Sequence, residues 1–471
     1  MFAAAAGHPA RVPACLGYNG AVAYHRADEV DVRIDRMSYG GRGVGRVDGF
    51  VVFVSDAAPG DLLRARLVKV KKAFAEAEPV RIDEPSPDRV PPRCPHFGPC
   101  GGCLWQHLDY DAQLRAKDAI VAESLRHLGG LQEVPLRPII PTDEPWYYRN
   151  KMEFSFQPDG RLGLHRRGRW DEIVDLHTCF LQSPRTAEIL NEVRDFARDA
   201  GLTCYDPRTH QGLLRHLIIR EGRNTGDLLV AVVTSTGDFA EAKALAARLA
   251  DHHPELTGFL WAVNPSHGDA VEVHGLHVLH GRPDIHERLR DLTFRLGLQT
   301  FFQTNTAQAE RMIDLVRDYA APAPTDHVVD LYSGVGTFAL ALARNAAHVT
   351  GIEVTPASIE AARENAALNG ITNATFVAAD ARRFDQSLGS GRAPDVLVLD
   401  PPRAGAGVAV MRAVARTGVR RVVYISCNPT TLAPDLRELL AHGYVLRVVQ
   451  PLDLFPQTYH VECVVALERT G

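Results

Sequence analysis

Three cysteines, Cys94, Cys100 and Cys103, stand in one loop, CPHFGPCGGC, whose prolines and glycines allow several thiolates to turn toward one centre. Such crowding in a reducing compartment indicates a metal ion or a metal cluster, because free thiols gain nothing from it. A tetrahedral ion or a cubane cluster needs a fourth ligand, and spacing alone leaves zinc and iron–sulfur open. The candidates for that ligand are Cys179, His96, His107 and Cys204. Among them we prefer Cys179, in DLHTCFL.

A second chemically suggestive cysteine is Cys427, in RVVYISCNPTTLAPDL, where an apolar strand ends and a helix is predicted to begin near Thr430 or Thr431. The positive end of a helix dipole lowers the pKa of a nearby thiol and makes it a better nucleophile. A small buried cysteine would produce the same pattern. Near the C-terminus, DLFPQTYHVECVV offers His460 and Glu462. A carboxylate there could return to the same edge as a general base, or it could be an ordinary solvent-facing strand residue.

A possible ligand pocket follows from VVDLYSGVGTFALALA (328–343), which predicts a strand, a glycine-containing turn and a helix. The glycines let the backbone approach a ligand, and the helix start offers free N–H groups. Glu353 ends the next strand, where an acid can accept both hydroxyls of an adenosine ribose. Phe338 follows Thr337 where a dinucleotide fingerprint has its third glycine, which favours a nucleoside ligand. Asp380 ends a third strand and could reach an adenine amine. The alternatives are that Asp380 caps a helix and that Glu353 is a surface carboxylate.

The segment DVLVLDPPRAG places Asp400 at the carboxyl end of an apolar strand. Pro401 and Pro402 end the strand ladder and direct the loop across the pocket. Enzymes that methylate amino groups of nucleic-acid bases carry a related motif with an aromatic residue after the prolines. Arg403 occupies that place here, which disfavours amino-methylation of adenine or guanine.

The amino-acid composition limits the class of protein and the number of domains that can position these residues. The chain has 471 residues, enough for roughly two to four domains, and 45% hydrophobic and 23% charged residues exclude disorder, collagen and a coiled coil. No apolar run approaches the roughly 18 residues of a membrane span, and the start lacks a secretory signal, so we expect a cytoplasmic protein. Eight cysteines are too few for a disulfide scaffold. A net charge of −5 argues against a nucleic-acid partner unless charge is unevenly spread.

Changes in composition and in strand and helix patterns along the chain predict four segments. Residues 1–29 form a flexible tail, and 30–86 contain four or five short strands that suit a small barrel of the OB type. Nine basic residues against four acids from Arg33 to Lys72 predict a cationic face on this barrel, either solvated or bound to nucleic acid. After a proline-rich stretch, 87–290 form a central α/β domain with the cysteine loop. Residues 291–471 alternate strictly between strand and helix, which predicts a Rossmann-like, doubly wound parallel sheet.

Six motifs occur together and in a characteristic order: FFQTN (301–305), DLYSGVGTF, GIEV, LDPPR, SCNPTTLAPDL and DLFPQTYHVE. From about Val30 onward the chain resembles the RNA 5-methyluridine methyltransferases, and its barrel resembles a TRAM domain. The cysteine loop with RLGLHRRGRWDEIVDLHTC resembles the iron–sulfur-bearing branch that acts on 23S ribosomal RNA. The tRNA-specific branch that it resembles less lacks both TRAM domain and cluster. The resemblance implies a [4Fe-4S] cluster rather than zinc, with Cys179 as its fourth ligand.

The resemblance also implies roles for single residues. Cys427 matches the nucleophile that adds to C6 of uracil, and Glu462 matches the base that later removes the C5 proton. The contacts for S-adenosylmethionine and the active site match Gln303, Tyr332, Glu353 and Asp400, with Asp380 at a variable polar contact. The sequence departs from its relatives at Gln457, where His is common, and at Tyr459, where Gly is common.

The expected partner is RNA, above all ribosomal RNA, bound by a monomer with no membrane association. The basic run of Arg161, Arg166, Arg167 and Arg169 would add to the RNA surface. The cluster has no step in the uracil chemistry, so we expect it to be structural. Alternatives are a 5-methyluridine methyltransferase of tRNA and a non-catalytic RNA-binding protein with a redox-sensing cluster.

Overall fold

The computed structural model describes residues 24–268, 272–388 and 393–470, so most of the predicted tail lies outside the described residues. The chain divides into two compact units. The first comprises residues up to 91 with 107–109, and the second comprises 92–106 with 110 onward. The predicted central and C-terminal domains therefore belong to one compact unit. Within the described ranges, no helix combines the length and apolar character needed to cross a membrane.

The first unit is a closed five-stranded barrel, which confirms the prediction. Its strands are β1 (Glu29–Met37), β2 (Gly43–Val47), β3 (Phe50–Val54), β4 (Leu62–Val70) and β5 (Phe74–Glu84), in the order β1-β2-β3-β5-β4. Alternate residues of β1 face the core, as a half-buried strand requires. The tight crossing of β1 and β2 needs Gly45, because a Cβ there would lie 2.2 Å from the Arg33 carbonyl oxygen.

The predicted cationic face of this barrel is largely neutralised by acids. The ion pairs on it are Arg64 with Glu29 and Asp31, Arg66 with Glu29, and Lys69 with Glu76. Antiparallel pairing sets these side chains opposite one another across the ladders from β4 to β1 and β5. The sequence count missed the acids because positions 29, 31 and 76 lie outside the counted segment.

The second unit contains a seven-stranded sheet flanked by two helices. Its strands are β6 (Lys151–Phe156), β7 (Leu162–His165), β8 (Ile173–Asp175), β9 (Leu214–Glu221), β10 (Leu228–Thr234), β11 (Leu256–Val263) and β12 (Gly275–Gly281), in the order β12-β11-β10-β9-β6-β7-β8. Its helices are α2 (Pro184–Asp199) and α3 (Ala242–His252), whereas α1 (Tyr110–His127) precedes it in the chain and packs in the core of the following sheet. The ladders of this sheet are antiparallel except β10 with β11.

A hairpin and a helix connect this sheet to the next: β13 (Asp284–Leu289), β14 (Leu292–Gly297) and α4 (Thr306–Ala320). The predicted boundary at 291 falls in the turn of the hairpin. The second sheet contains β15 (His327–Leu331), β16 (His348–Glu353), β17 (Ala374–Ala378), β18 (Val396–Leu399), β19 (Arg421–Ser426), β20 (Tyr444–Leu452) and β21 (Glu462–Arg469). Its helices are α5 (Thr337–Ala343), α6 (Pro356–Leu368), α7 (Phe384–Ser387), α8 (Gly407–Thr417) and α9 (Pro429–Ala441).

The second sheet has the order β17-β16-β15-β18-β19-β21-β20. Its first five strands are parallel, and β21 runs antiparallel to both neighbours. This arrangement confirms the predicted Rossmann-like class. The strand order reverses between β15 and β18, and ligands bind at the carboxyl ends of the strands beside such a reversal. Tyr332, Glu353, Asp400 and Cys427 each follow or end a strand at this edge.

Candidate active site and the four-cysteine cavity

The edge of the second sheet carries a hydrogen-bonded pair, Gln303 and Asp400. Gln303 Nε2 donates to Asp400 Oδ2 over 3.1 Å. The backbone carbonyl of Gln303 accepts from Asn150 Nδ2 over 2.8 Å, which ties the segment before α4 to the first sheet of the same unit. Asn305 caps α4 by accepting from the Gln308 N–H over 3.2 Å, and so directs this segment toward the site. The structure therefore brings together two residues that the sequence separates by almost a hundred positions.

Two carboxyl groups at this edge titrate far above their ordinary range. Burial raises the pKa of Asp400 to about 7, against a hydrogen bond from Gln303 that favours the ionised form. Burial and the nearby charge of Asp400 raise the pKa of Glu462 well above its usual value. Glu462 Oε2 is buried and has no hydrogen-bond partner among the described residues. Burying such a group without a hydrogen bond costs free energy, and acids with strongly shifted pKa values cluster at functional sites.

Cys427 belongs to the same cluster, but its thiol is not activated in the way the sequence predicted. Burial raises its pKa to about 12, and the neighbouring Glu462 and Asp400 add to the rise. The expected lowering was wrong because burial outweighs any effect of the α9 N-terminus, which begins at Pro429 and is capped by the Asn428 side chain. In this state the thiol holds its proton.

Arg403 is a functional candidate that sequence reasoning recognised only as a missing aromatic. Its positive charge lowers the pKa of both Cys427 and Glu462, against the larger effects of burial. It also contributes to the depressed pKa of His460, which burial lowers to about 4, so that this imidazole is neutral. A cation in the loop after Asp-Pro-Pro was the available signal.

The glycine turn after β15 lies beside Glu353, as predicted. Gly334 N donates to Glu353 Oε2 over 3.3 Å, and Thr355 N donates to Glu353 Oε1 over 2.9 Å. Tyr332 adopts a φ of +61°, a conformation unusual for a bulky residue and one that collects at functional sites. The turn and the end of β16 thus form one continuous polar surface.

Two buried polar atoms in this turn have no partner among the described residues: Asp330 Oδ1 and Ser333 Oγ. Asp330 Oδ2 accepts from the N–H of Ala339, which anchors α5. Burial raises the pKa of Asp330 well above its usual value. Unpaired polar atoms are rare in cores, and here they suit a polar ligand. Sequence reasoning missed Asp330, although an acid inside the apolar strand VVDL was a signal.

Asp380 lies at the end of β17, but its carboxylate is already engaged. It accepts from the backbone and side chain of Arg382, and this hydrogen bonding lowers its pKa to about 2. The capping interpretation of Asp380 therefore describes the structure, and a ligand would compete with Arg382 for the carboxylate.

The loop that precedes Glu462 is held by buried polar contacts from α1. Lys117 Nζ lies 2.5 Å from Asp453 Oδ1 and donates to the Phe455 carbonyl over 3.0 Å, with both charged side chains fully buried. Gln113 accepts from the N–H of Gln457 over 2.9 Å and donates to its side chain over 3.0 Å. Gln457, one of the two departures from the resemblance, is therefore part of the support for this loop.

The four predicted cluster cysteines lie together in a different part of the same unit. Cys94, Cys100, Cys103 and Cys179 all line one cavity of about 330 Å³, a volume that includes its open mouth. Its remaining wall is mainly apolar, with Phe97, Leu164, Leu176, Phe180 and Leu181. Of the candidates for a fourth ligand, Cys179 is the one that lines this cavity.

Burial raises the pKa of the Cys100 thiol to about 11 and of the Cys103 thiol to about 12. In both cases the other cysteines of the cavity add to the rise, since neighbouring thiolates repel one another. Across the three described stretches of chain, no three His, Cys, Asp or Glu side chains are grouped closely enough to hold a metal ion. The predicted iron–sulfur cluster therefore remains a prediction.

A Rossmann-like sheet with a glycine turn beside an acid at the next strand end suits an enzyme that binds a nucleoside-containing cofactor. Comparison with known proteins agrees. Residues 281–470 match the model of the tRNA (uracil-5-)-methyltransferase family, and residues 26–80 match the TRAM domain. The chain belongs to the RNA uracil-5-methyltransferase family.

Similar proteins match over nearly the whole chain. An RNA methyltransferase of Halalkalibacterium halodurans is 37% identical over 94% of this chain and 98% of its own. An RNA methyltransferase of Nitratidesulfovibrio vulgaris is 41% identical over 93% of this chain and 96% of its own. The crystal structure of the tRNA (uracil-54, C5)-methyltransferase of Pyrococcus abyssi, in complex with S-adenosyl-L-homocysteine, has a TM-score of 0.76, 29% identity, and covers 93% of this chain and 99% of that chain. These matches confirm the predicted family and fold class.

Proposed function

We propose that this protein transfers a methyl group from S-adenosylmethionine to C5 of uridine in RNA, with 23S ribosomal RNA as the substrate. The observation that carries the proposal is the grouping of one thiol and two high-pKa carboxyl groups, Cys427, Glu462 and Asp400, at the ligand-binding edge of the second sheet. Uracil C5 is a poor nucleophile, and this set of groups supplies what its activation needs.

The first step belongs to Cys427. Its sulfur forms a bond to C6 of the target uracil, which moves electron density to C5 and O4. The thiol proton must leave as this bond forms, and Asp400, whose pKa burial raises to about 7, can accept it when this carboxyl group is ionised, so that Glu462 is kept for the last step. Gln303 and Asp400 would hold the base in line for transfer.

The last step belongs to Glu462. When bound, S-adenosylmethionine supplies the electrophilic methyl group that C5 acquires. Glu462 then removes the proton from C5, the C5–C6 double bond re-forms, and the bond between C6 and the Cys427 sulfur breaks. The unpaired Oε2 of Glu462 gives this carboxyl group an oxygen without competing partners among the described residues.

The surface for the methyl donor would be the glycine turn and the end of β16. Glu353 is placed to accept the ribose hydroxyls, as an acid at the end of the second strand does in nucleoside-binding folds. The unpaired Asp330 Oδ1 and Ser333 Oγ fit a polar ligand there. Tyr332 would contribute a further contact, and Asp380 would do so only if it released Arg382.

We further propose that Cys94, Cys100, Cys103 and Cys179 hold a [4Fe-4S] cluster, with zinc as the alternative. The support is the shared, mainly apolar cavity, which all four cysteines line. A bound cluster would supply a structural cross-link between the cysteine loop and Cys179. Iron analysis and visible absorption of anaerobically purified protein test this part separately.

The activity is tested with radiolabelled methyl donor and transcripts of 23S ribosomal RNA and of tRNA. We expect label in 23S transcripts, located at 5-methyluridine by nuclease digestion. RNA binding without transfer would contradict the proposal and favour a non-catalytic RNA-binding protein. Label in N-methylated adenine or guanine would also contradict it.

Methylation of tRNA is a second candidate. It is favoured by the similarity over nearly the whole chain to the Pyrococcus abyssi enzyme that acts on uracil 54 of tRNA. Label in tRNA transcripts alone would select it. Under either substrate we expect a cytoplasmic monomer, which size-exclusion chromatography with light scattering checks.

A further inference from the structure

The turn between β7 and β8 carries an exposed tryptophan, Trp170, whose accessible fraction is 65%. The chain has four tryptophans; Trp105 is fully buried, and Trp146 and Trp261 are partly buried. A large ring that stays in solvent contributes little buried area to the fold, so its place beside a cavity is the observation that matters. Neither the active site nor the four-cysteine cavity uses this residue.

A cavity of about 400 Å³, its open mouth included, lies beside Trp170; we call it the Trp170 cavity. Phe156 and Ile173, both buried, provide apolar lining, and Tyr205 adds a second aromatic ring. Ser155 and His216 give polar groups within the cavity and lie 3.2 Å apart. Aromatic and apolar surfaces with a few polar groups are the composition of a site for a planar, polar-edged ligand.

The Tyr205 ring is held in place by a buried arginine. The guanidinium of Arg215 lies 4.2 Å from the centre of this ring, within cation–π range. Arg215 is 3% exposed and donates over 3.0 Å to the carbonyl of Asn264. One wall of the cavity is therefore preorganised, which reduces the entropy that a ligand must lose on binding.

The mouth of the cavity carries excess positive charge. Arg169 and Arg208 both pair with one carboxylate, Asp171, so two cations share a single neutralising charge. Arg166 pairs with Glu172 over 2.6 Å. All three guanidinium groups stay substantially exposed and can contact an anion. The basic run predicted from sequence is thus largely neutralised, and the second cation on Asp171 is Arg208, which lies outside that run.

We propose that the Trp170 cavity binds an unpaired base of the RNA substrate, stacked on Trp170, while the arginines at its mouth contact the adjoining phosphates. Aromatic platforms combined with basic side chains are the usual means of binding single-stranded RNA. The inference rests on the proposed function, because it takes RNA as the substrate.

The cavity belongs to the sheet that also contacts the active site. Ser155 lies five residues along the chain from Asn150, which hydrogen-bonds Gln303 at the active site. At about 3.3 Å per strand residue, this stretch of chain is about 16 Å long. In this proposal the bound base lies in the RNA that flanks the target uridine.

The test measures binding of a labelled single-stranded RNA oligonucleotide, and of the same sequence as a duplex, to the full-length protein. Trp170→Ala should weaken single-strand binding about 5- to 100-fold, the usual effect of losing one stacking platform, with little change for the duplex. Trp170→Phe should restore most of the affinity. Leu276→Ala is the matched control, because Leu276 is exposed on β12, at the opposite edge of the same sheet.

Tryptophan emission gives a direct readout, since a stacked base quenches the ring beneath it. RNA should quench the wild-type protein and quench Trp170→Phe much less. Unchanged RNA affinity in Trp170→Ala overturns the inference, and so does undiminished quenching by RNA in Trp170→Phe. Binding of a protein ligand at this site, with no competition from RNA, would also overturn it. Normal methylation with unchanged binding by Trp170→Ala rejects only the cavity. Quenching through Trp170 without any methylation rejects only the proposed reaction.

Discussion

The two cysteine-bearing regions of the second unit raise the pKa of their thiols to the same value mainly by burial, but the groups that surround the thiols differ. Burial brings the pKa of Cys427 and that of Cys103 to about 12. The secondary cause at Cys427 is two carboxyl groups, and at Cys103 it is the other cysteines of the cavity. A thiol beside an ionised carboxyl group can pass its proton to that group, whereas thiols among thiols need an external positive group before they can ionise together.

The neighbouring groups therefore distinguish a nucleophilic cysteine from a metal-binding cysteine. Burial and residue type alone do not distinguish them. It also predicts opposite stability effects. Removing a cavity cysteine should cost stability if a metal group is bound there, because metal binding and folding are coupled. Removing a buried charge from the catalytic edge should increase stability, since that charge is retained for function.

The largest expected effect is on catalysis by Cys427→Ala. Without the sulfur no bond to C6 can form, so methyl transfer should fall about 10⁴-fold or more, as for other lost nucleophiles. The trapped complex with 5-fluorouridine RNA should disappear on denaturing gels, while iron content and the unfolding temperature stay close to the wild type.

The matched control for this variant is Cys463→Ala. Cys463 is fully buried on β21, opposite Ser426 of β19, and is not part of the proposed chemistry. It should keep activity within a few-fold and lose about 1 kcal/mol of stability to the small cavity. An active Cys427→Ala enzyme would remove the nucleophile from the mechanism.

Glu462→Gln should produce the next largest effect. The amide preserves the shape of the side chain but cannot take the C5 proton, so turnover should fall about 10²- to 10³-fold. The methylated covalent adduct should accumulate because its release is blocked, which gel shift and mass spectrometry would detect. Glu468→Gln, on the same strand but ion-paired with Arg421, is the control and should stay near wild-type activity. Loss of turnover with no trapped adduct would argue against Glu462 as the base.

Cys103→Ala tests the four-cysteine cavity, the second of the two regions compared. If the cavity holds a cluster, this change should abolish iron binding and lower the free energy of unfolding by about 3 kcal/mol. Any loss of methylation should follow the unfolded fraction and recover at lower temperature. The measurements are iron per chain and denaturant unfolding under anaerobic conditions.

Cys204→Ala is the control for Cys103→Ala, because Cys204 is a buried cysteine of the same hydrophobic core. Removing its small side chain should cost about 1 kcal/mol and leave the metal content unchanged. Equal losses of stability in the two variants would mean that Cys103 contributes packing alone.

Sequence alone supplied the order of elements and the residues at strand ends, because strand and helix periods and motif spacing are local properties. It could not supply the charge around Cys427, since Glu462 and Arg403 approach it only through tertiary packing. The failed expectation of a lowered thiol pKa came from treating the helix dipole as its whole environment. The cationic barrel face failed for a related reason, because the acids that neutralise it come from other strands. Asp330 stands out in the sequence as an acid inside the apolar strand VVDL, but its complete burial and its unpaired oxygen follow only from the tertiary packing.

The smallest expected effect is the stabilisation of the protein by Asp400→Asn, and its sign follows from linkage. The pKa of Asp400 rises from about 4 in the unfolded chain to about 7 in the folded protein, so between these values the folded state holds more protons. Stability is therefore fully present below pH 4 and is lost as pH rises toward 7. Asparagine removes this loss, and the free energy of unfolding at pH 8 should increase by about 2 kcal/mol while activity falls.

The pH dependence distinguishes this effect from a general change in packing. The gain in Asp400→Asn should be present at pH 8 and absent near pH 4, when the wild-type carboxyl group is protonated in both states. Asp199→Asn, at an exposed position at the end of α2, is the control and should not change the slope. An Asp400→Asn protein that is less stable at pH 8 would show that the ionised carboxylate, held by Gln303, supports the fold, and the contrast with the cysteine cavity would no longer hold.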